Sequence, residues 1–164
     1  MGNILETRLT TLAGEPTTFG ELTNGAAALV VNVASKCGYT SQYEHLEALH
    51  RELGPRGFTV IGVPCNQFGA EEPGTAAQIQ QFCSRNYGIS FPMTEKVKVN
   101  GKGRSPLFTT LVNARDESGY AGEVRWNFEK FLVAPDGRVV GRFDSETPPD
   151  APQIREAIEA VLPD

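Results

Sequence analysis

Three cysteines carry most of the chemical potential of this sequence, and each sits in a different setting. Cys37 ends the apolar run of VNVASKCGYT, between a buried strand and helix-start signals near Ser41. Cys65 follows the next apolar run, in PCNQFGAEEPG, and Cys83 lies in QQFCSRNYG, a segment with helical spacing. A thiol attacks as its thiolate, and the free N–H groups and positive dipole end of a helix favour negative charge nearby. Cys37 is therefore the candidate nucleophile, with Lys36 beside it adding to the field. A free cysteine is otherwise a small, inert core residue.

A sulfur nucleophile needs fixed donors for the charge on itself and on a departing oxygen, in the manner of an oxyanion hole. Gln67 lies in the loop after the second apolar run, and loops at the carboxyl ends of parallel strands are where open α/β sheets place their sites. Trp126 and Asn127 stand together just before the apolar run FEKFLV. The indole N–H is a donor only, and both amides carry an NH₂ group. These three are the candidate donors, though a lone Trp also serves as a packing anchor. Cys83 falls on the apolar face of its helix beside Ile79 and Phe82, which suits an inert core thiol. Alternatively it is a resolving thiol, condensing with a sulfenic acid on the first cysteine to give a protective disulfide. Since a disulfide needs Cα atoms within about 7 Å, a core-facing Cys83 would have to be released by local unwinding of its helix. Cys37, Cys65, Cys83, His45 and His50 lack the close cysteine spacing of structural zinc sites, so no metal is expected.

The elements that would position these groups follow from punctuation and period. The opening segment to Gly14-Glu15-Pro16 suggests a short hairpin. An apolar strand runs from Ala28 to Ala34, then a helix from about Ser41 to Leu53 with Ser41 and Glu44 as a capping box, then the breaker Gly54-Pro55-Arg56-Gly57. Phe58 to Val63 is a second buried strand, parallel to the first. Thr75 to Tyr87 reads as a helix with a Thr75–Gln78 capping box and Gly88 as its stop. A short strand near Val97 to Val99, a helix near Ser105 to Val112 and a polar loop from Asn113 to Gly122 come next. Phe131 to Ala134 and Arg138 to Phe143 form a hairpin about Pro135-Asp136-Gly137, and a helix from about Ala151 to Val161 closes the chain. The sum is one α/β domain over residues 1–164, its mixed sheet flanked by helices, parallel in its first half and antiparallel at its end.

The 164 residues suit one core, and a net charge of −5, from 15 basic and 20 acidic residues, argues against nucleic acid or an anionic membrane as main partner. No apolar run approaches the roughly 20 residues of a membrane helix. The N-terminus lacks the pattern of a secretory signal, and Met1-Gly2 is followed by Glu6 where myristoylation wants Ser or Thr. With an odd cysteine count, this points to an unmodified cytoplasmic protein whose thiols work in a reducing compartment.

Three segments together, NVASKCGYT, PCNQFGAEEPGT and WNFEKFLV, resemble the glutathione peroxidase family of the thioredoxin-like superfamily. The likeness spans nearly the whole chain in order. It implies a thioredoxin-like fold with an N-terminal hairpin and a four-residue site at Cys37, Gln67, Trp126 and Asn127, with no cofactor. Many animal members carry selenocysteine where this chain has Cys37. The short segment from Leu111 to Arg125, where tetrameric members are longer, implies a monomer. The segment around Cys83 resembles the branch that uses a resolving cysteine there and is reduced by thioredoxin rather than glutathione. The implied activity is reduction of hydrogen peroxide and organic or lipid hydroperoxides through a Cys37 sulfenic acid and a Cys37–Cys83 disulfide. Glutathione dependence and a peroxide sensor that relays its disulfide to a partner protein are the alternatives. The family commonly has Gln where this chain has Glu71, which is expected to be a surface change with little effect on the chemistry.

Overall fold

The computed structural model describes residues 3–163; Met1 and Gly2, and with them the N-terminal modification question, lie outside the described residues. The chain opens with a 3₁₀ turn, Ile4–Glu6, and a two-stranded antiparallel hairpin, β1 (Arg8–Thr10) and β2 (Pro16–Thr18). The short helix α1 (Phe19–Thr23), which composition did not announce, is capped by the Thr18 side chain. Next come β3 (Ala27–Val33), α2 (Gln42–Leu53), β4 (Phe58–Pro64), α3 (Ala76–Tyr87), α4 (Pro106–Leu111), β5 (Lys130–Val133), β6 (Val139–Phe143) and α5 (Pro152–Glu159).

The main sheet has the order β4-β3-β5-β6. The β3–β4 pair is parallel, joined through α2, and the β3–β5 and β5–β6 pairs are antiparallel, as the hydrophobic pattern predicts. Both faces are covered. Along β3 the side chains alternate: Ala27, Leu29, Val31 and Val33 join the core shared with α2, α3 and α5, while Ala28 and Val30 join the one shared with Phe19 and α4. A two-residue period on a sheet buried on both sides produces this continuous apolar run.

Two sequence expectations change. Ser41 makes no capping bond, because its own dihedrals (φ −61°, ψ −15°) are already helical and a capping residue needs extended ones. Successive i→i+3 bonds, Thr40 to Cys37, Gln42 to Tyr39 and Tyr43 to Thr40, lead into α2 instead. Val97–Val99 forms no named strand. Its backbone is taken by other partners: Val97 N–H donates to Pro64 O, and Val99 N–H to the Gln67 side chain. The Thr75–Gln78 capping box and the left-handed Gly88 stop (φ 58°) are both present on α3.

Candidate active site

Cys37 sits in the turn after β3, half-buried, whereas Cys65 and Cys83 are buried; all three are free thiols. The turn is built by Thr40, whose hydroxyl accepts from Cys37 N–H (2.8 Å) and donates to Ala34 O (2.9 Å). Tyr39 N–H then donates to Cys37 Sγ at 3.3 Å. The sulfur also lies against the Asn127 carboxamide and the Glu71 carboxylate. Burial pushes the Cys37 thiol up; the Tyr39 N–H and Asn127 oppose this, and Glu71 adds to it. The expectation of a helix-lowered thiol is therefore corrected. Cys37 precedes α2 by a full turn of loop, its sulfur packs on the core, and Lys36 is not among the groups acting on it.

Of the three candidate donors, only Asn127 is brought to the sulfur. Its side chain is fully buried, and Nδ2 donates to Glu71 Oε1 (3.0 Å) and to Phe68 O (3.3 Å). The Gln67 carboxamide is turned away. Its Oε1 accepts from Val99 N–H (2.7 Å) and Asn100 N–H (3.1 Å), and its Nε2 donates to Asn100 O (2.9 Å). Gln67 thus ties the loop after β4 to the 97–100 segment. Trp126 is 38% exposed, with its ring 5.8 Å from that of Phe68 and its edge over Gly69. Gly69 is required there, since its φ is +67° and a Cβ would come within 3.2 Å of the indole.

The segment carrying Trp126 and Asn127 is held by residues that the motif reading passed over. Asn32, buried in β3, donates to Trp126 O (2.9 Å), and its own carbonyl accepts from Phe128 N–H (2.6 Å). A single Asn inside VVNV was the available signal. Phe128 has φ +65°, a conformation that costs about 1–3 kcal/mol in a residue with a Cβ. The buried Lys130 ammonium holds it there, donating to Phe128 O (2.7 Å) and to Asp144 O and Ser145 O (both 3.3 Å). Burial pushes Lys130 down to about 7, against the pull of Asp144 and Glu129. Just upstream, fully buried Arg142 pairs with Glu129 (2.6 Å) and donates to the carbonyls of Val112, Ala114, Gly122 and Glu123, which fixes the loop leading to Trp126.

Cys83 packs in the core beside the hydroxyl of Tyr43. Burial pushes its thiol up, Tyr43 pulls it down, and buried Glu72 raises it further. Glu72 is itself raised by burial, although Ser35 N–H donates to its Oε1 (3.1 Å). Cys37 packs against the same cluster that contains Cys83. Two clefts border α3: one of about 470 Å³ against Ser35, Lys36 and Glu72, and one of about 380 Å³ that Cys83 itself lines. Cys65 donates weakly to Gln67 Oε1 (3.5 Å) and faces the other core.

The result is a half-buried thiol at the end of a parallel strand, with a backbone N–H and a buried carboxamide on its sulfur. The sequence pattern of the glutathione peroxidase family matches residues 4–112. A hydroperoxy fatty acid reductase of Synechocystis is 48% identical over 158 residues, 96% of this chain and 98% of its own. The thioredoxin/glutathione peroxidase BtuE of Escherichia coli is 41% identical over 179 aligned positions, 98% and 97% of the two chains. The crystal structure of Trgpx in apo form superposes with a TM-score of 0.75 at 34% identity, covering 99% of this chain and all of that one. Matches of that length, on a thioredoxin-like sheet with this thiol just past the end of its inner strand β3, place the chain in the glutathione peroxidase family.

Proposed function

We propose that this member of the family is a thiol peroxidase in which the Cys37 sulfur attacks the terminal oxygen of a hydroperoxide. The O–O bond breaks, Cys37 becomes a sulfenic acid, and water or an alcohol leaves. The observation that carries the reading is the setting of Cys37, the half-exposed thiol of the three, with Tyr39 N–H and Asn127 on its sulfur. Such donors stabilise charge developing at a reacting centre. The exposed Trp126 ring packs on buried Phe68 and lies over Gly69 beside Glu71, an apolar surface that suits organic and fatty acyl hydroperoxides as well as hydrogen peroxide. The name of the Synechocystis relative points the same way. Gln67 acts at one remove, by fixing the loop that carries Phe68 and Glu71.

Cys83 is the resolving thiol in this reading. It condenses with the sulfenic acid to release water, and thioredoxin then reduces the disulfide by thiol exchange. Membership in the same cluster as Cys37 and the clefts on both sides of α3 support it, as does the thioredoxin in the name of the Escherichia coli relative. The test is NADPH-coupled peroxide turnover with thioredoxin and thioredoxin reductase, run beside glutathione and glutathione reductase. Fast turnover with thioredoxin that Cys83→Ser abolishes, while one equivalent of peroxide is still consumed, is the expected result. Full thioredoxin turnover by Cys83→Ser would return Cys83 to the core.

A further inference from the structure

Glu71 is not the surface substitution that its place in the sequence suggests. Its backbone carbonyl accepts from Lys36 N–H (3.0 Å), next to the reactive cysteine. Its side chain packs over Gly69, within 3.4 Å of where a Cβ would stand, alongside the Trp126 indole. Oε1 accepts from Asn127 Nδ2 at 3.0 Å, and the carboxylate lies against the Cys37 thiol. A carboxylate accepts at both oxygens, so the bond to Asn127 leaves capacity for the S–H proton. The other groups facing that sulfur, the Tyr39 N–H and the Asn127 amide, are donors. Glu71 is the acceptor among them.

The first step has a proton problem at both ends. Burial pushes the Cys37 thiol up and so favours its protonated form, and the oxygen that departs from the peroxide must gain a proton as it leaves. Resting on the reading of Cys37 as the attacking thiol, we propose that Glu71 is the proton carrier of the peroxide step. As the S–O bond forms, Glu71 takes the thiol proton. As the O–O bond breaks, it returns that proton to the departing alkoxide. The balance is Cys37–SH plus ROOH giving Cys37–SOH plus ROH: sulfur is oxidised by two electrons, the peroxide is reduced by two, and Glu71 ends as it began. Sulfur attack drives the transfer, because the thiol gives up its proton as the S–O bond forms.

Glu71→Gln separates this role from simple electrostatics. Its carbonyl oxygen still accepts from Asn127, but the amide carries no charge and cannot take up and return a proton. Two rates are compared at pH 7: consumption of one equivalent of peroxide, and alkylation of Cys37 by iodoacetamide followed on its peptide by mass spectrometry. Alkylation needs the thiolate but no proton for a leaving oxygen. With the like charge gone, Cys37 alkylation should rise, while the peroxide reaction should fall about tenfold, below the full ~10²–10⁴ of general acid–base catalysis because water partly substitutes. Both rates rising would make Glu71 only a brake on the thiolate and overturn the proposal. Both unchanged, or both falling together, would overturn it as well, the latter by assigning Glu71 a scaffolding part. Cys37→Ser run in parallel keeps the two readings apart: peroxide consumption surviving in that variant would mean that Cys37 is not the attacking thiol.

Discussion

The segment around Asn127 and the helix that carries Cys83 are held by opposite means. Residues 126–128 are anchored by polar contacts on every side: Asn32 on Trp126 O and Phe128 N–H, Lys130 on Phe128 O, and Asn127 on Phe68 O and Glu71. Helix α3 buries only Ile79 and Cys83 fully, and clefts open on two of its sides. Directional bonds hold a donor to within tenths of an ångström, which a charge-stabilising site needs. A helix docked by two buried side chains, with Phe82 and Tyr87 only half-buried beside them, opens locally at lower cost than the domain unfolds. In the proposed cycle the peroxide step would therefore sit on the rigid part and disulfide closure on the yielding part.

The largest effect should come from the rigid side. Asn127→Ala removes the one side-chain donor found against the sulfur and should slow the reaction with peroxide by on the order of 10²-fold. Disulfide closure, measured once the sulfenic acid has formed, should be nearly unchanged. A stopped-flow trace of the two phases reads both. Equal losses in both phases would erase the division between the regions.

Lys130→Met attacks the same region through its support. Three carbonyls lose their donor, the two buried ones at about 1–3 kcal/mol each, offset in part because no ammonium is buried any longer, so a net loss of about 2 kcal/mol is expected in urea unfolding. The sign of the pH dependence follows from a lowered folded pKa. Between about 7 and the ordinary lysine value of 10.5, the unfolded chain binds one more proton than the folded one. Stability from this group therefore grows as pH rises through that window and is lost as pH falls through about 7. The gap between wild type and Lys130→Met should widen from pH 7 to pH 10, and a gap that stays constant would mean that Lys130 does not titrate there.

How much of this was legible depends on distance along the chain. The Thr75–Gln78 cap and the Gly88 stop were readable because each is settled within a few residues. Cys37 was readable because an apolar run, a lone thiol and a helix start are adjacent. Ser41 misled, since the same local pattern gave way to a turn built by Thr40. Glu71 could not be read, because its meaning comes from an amide 56 residues away, and the sequence shows only a charged loop. Arg142 is similar: nothing in VVGRF reveals that its guanidinium gathers four carbonyls from residues 112–123. Gln67 was found by its motif, but its partners at 99–100 were not.

The finest test of the comparison weakens the yielding side by one methyl group. Ile79→Val should cost about 1 kcal/mol, and if α3 opens to release Cys83, the same amount favours the open form and speeds Cys37–Cys83 closure by up to about fivefold. Ile154→Val is the matched control. Ile154 is fully buried in the same cluster, but on α5, so it lowers global stability comparably without loosening α3. Closure is followed by quenching with an alkylating reagent after one equivalent of peroxide and weighing the products. Faster closure in Ile79→Val alone locates the opening in α3. Equal acceleration in both variants would mean that closure passes through global unfolding, and no change in either would mean that Cys83 reaches Cys37 without disturbing its helix.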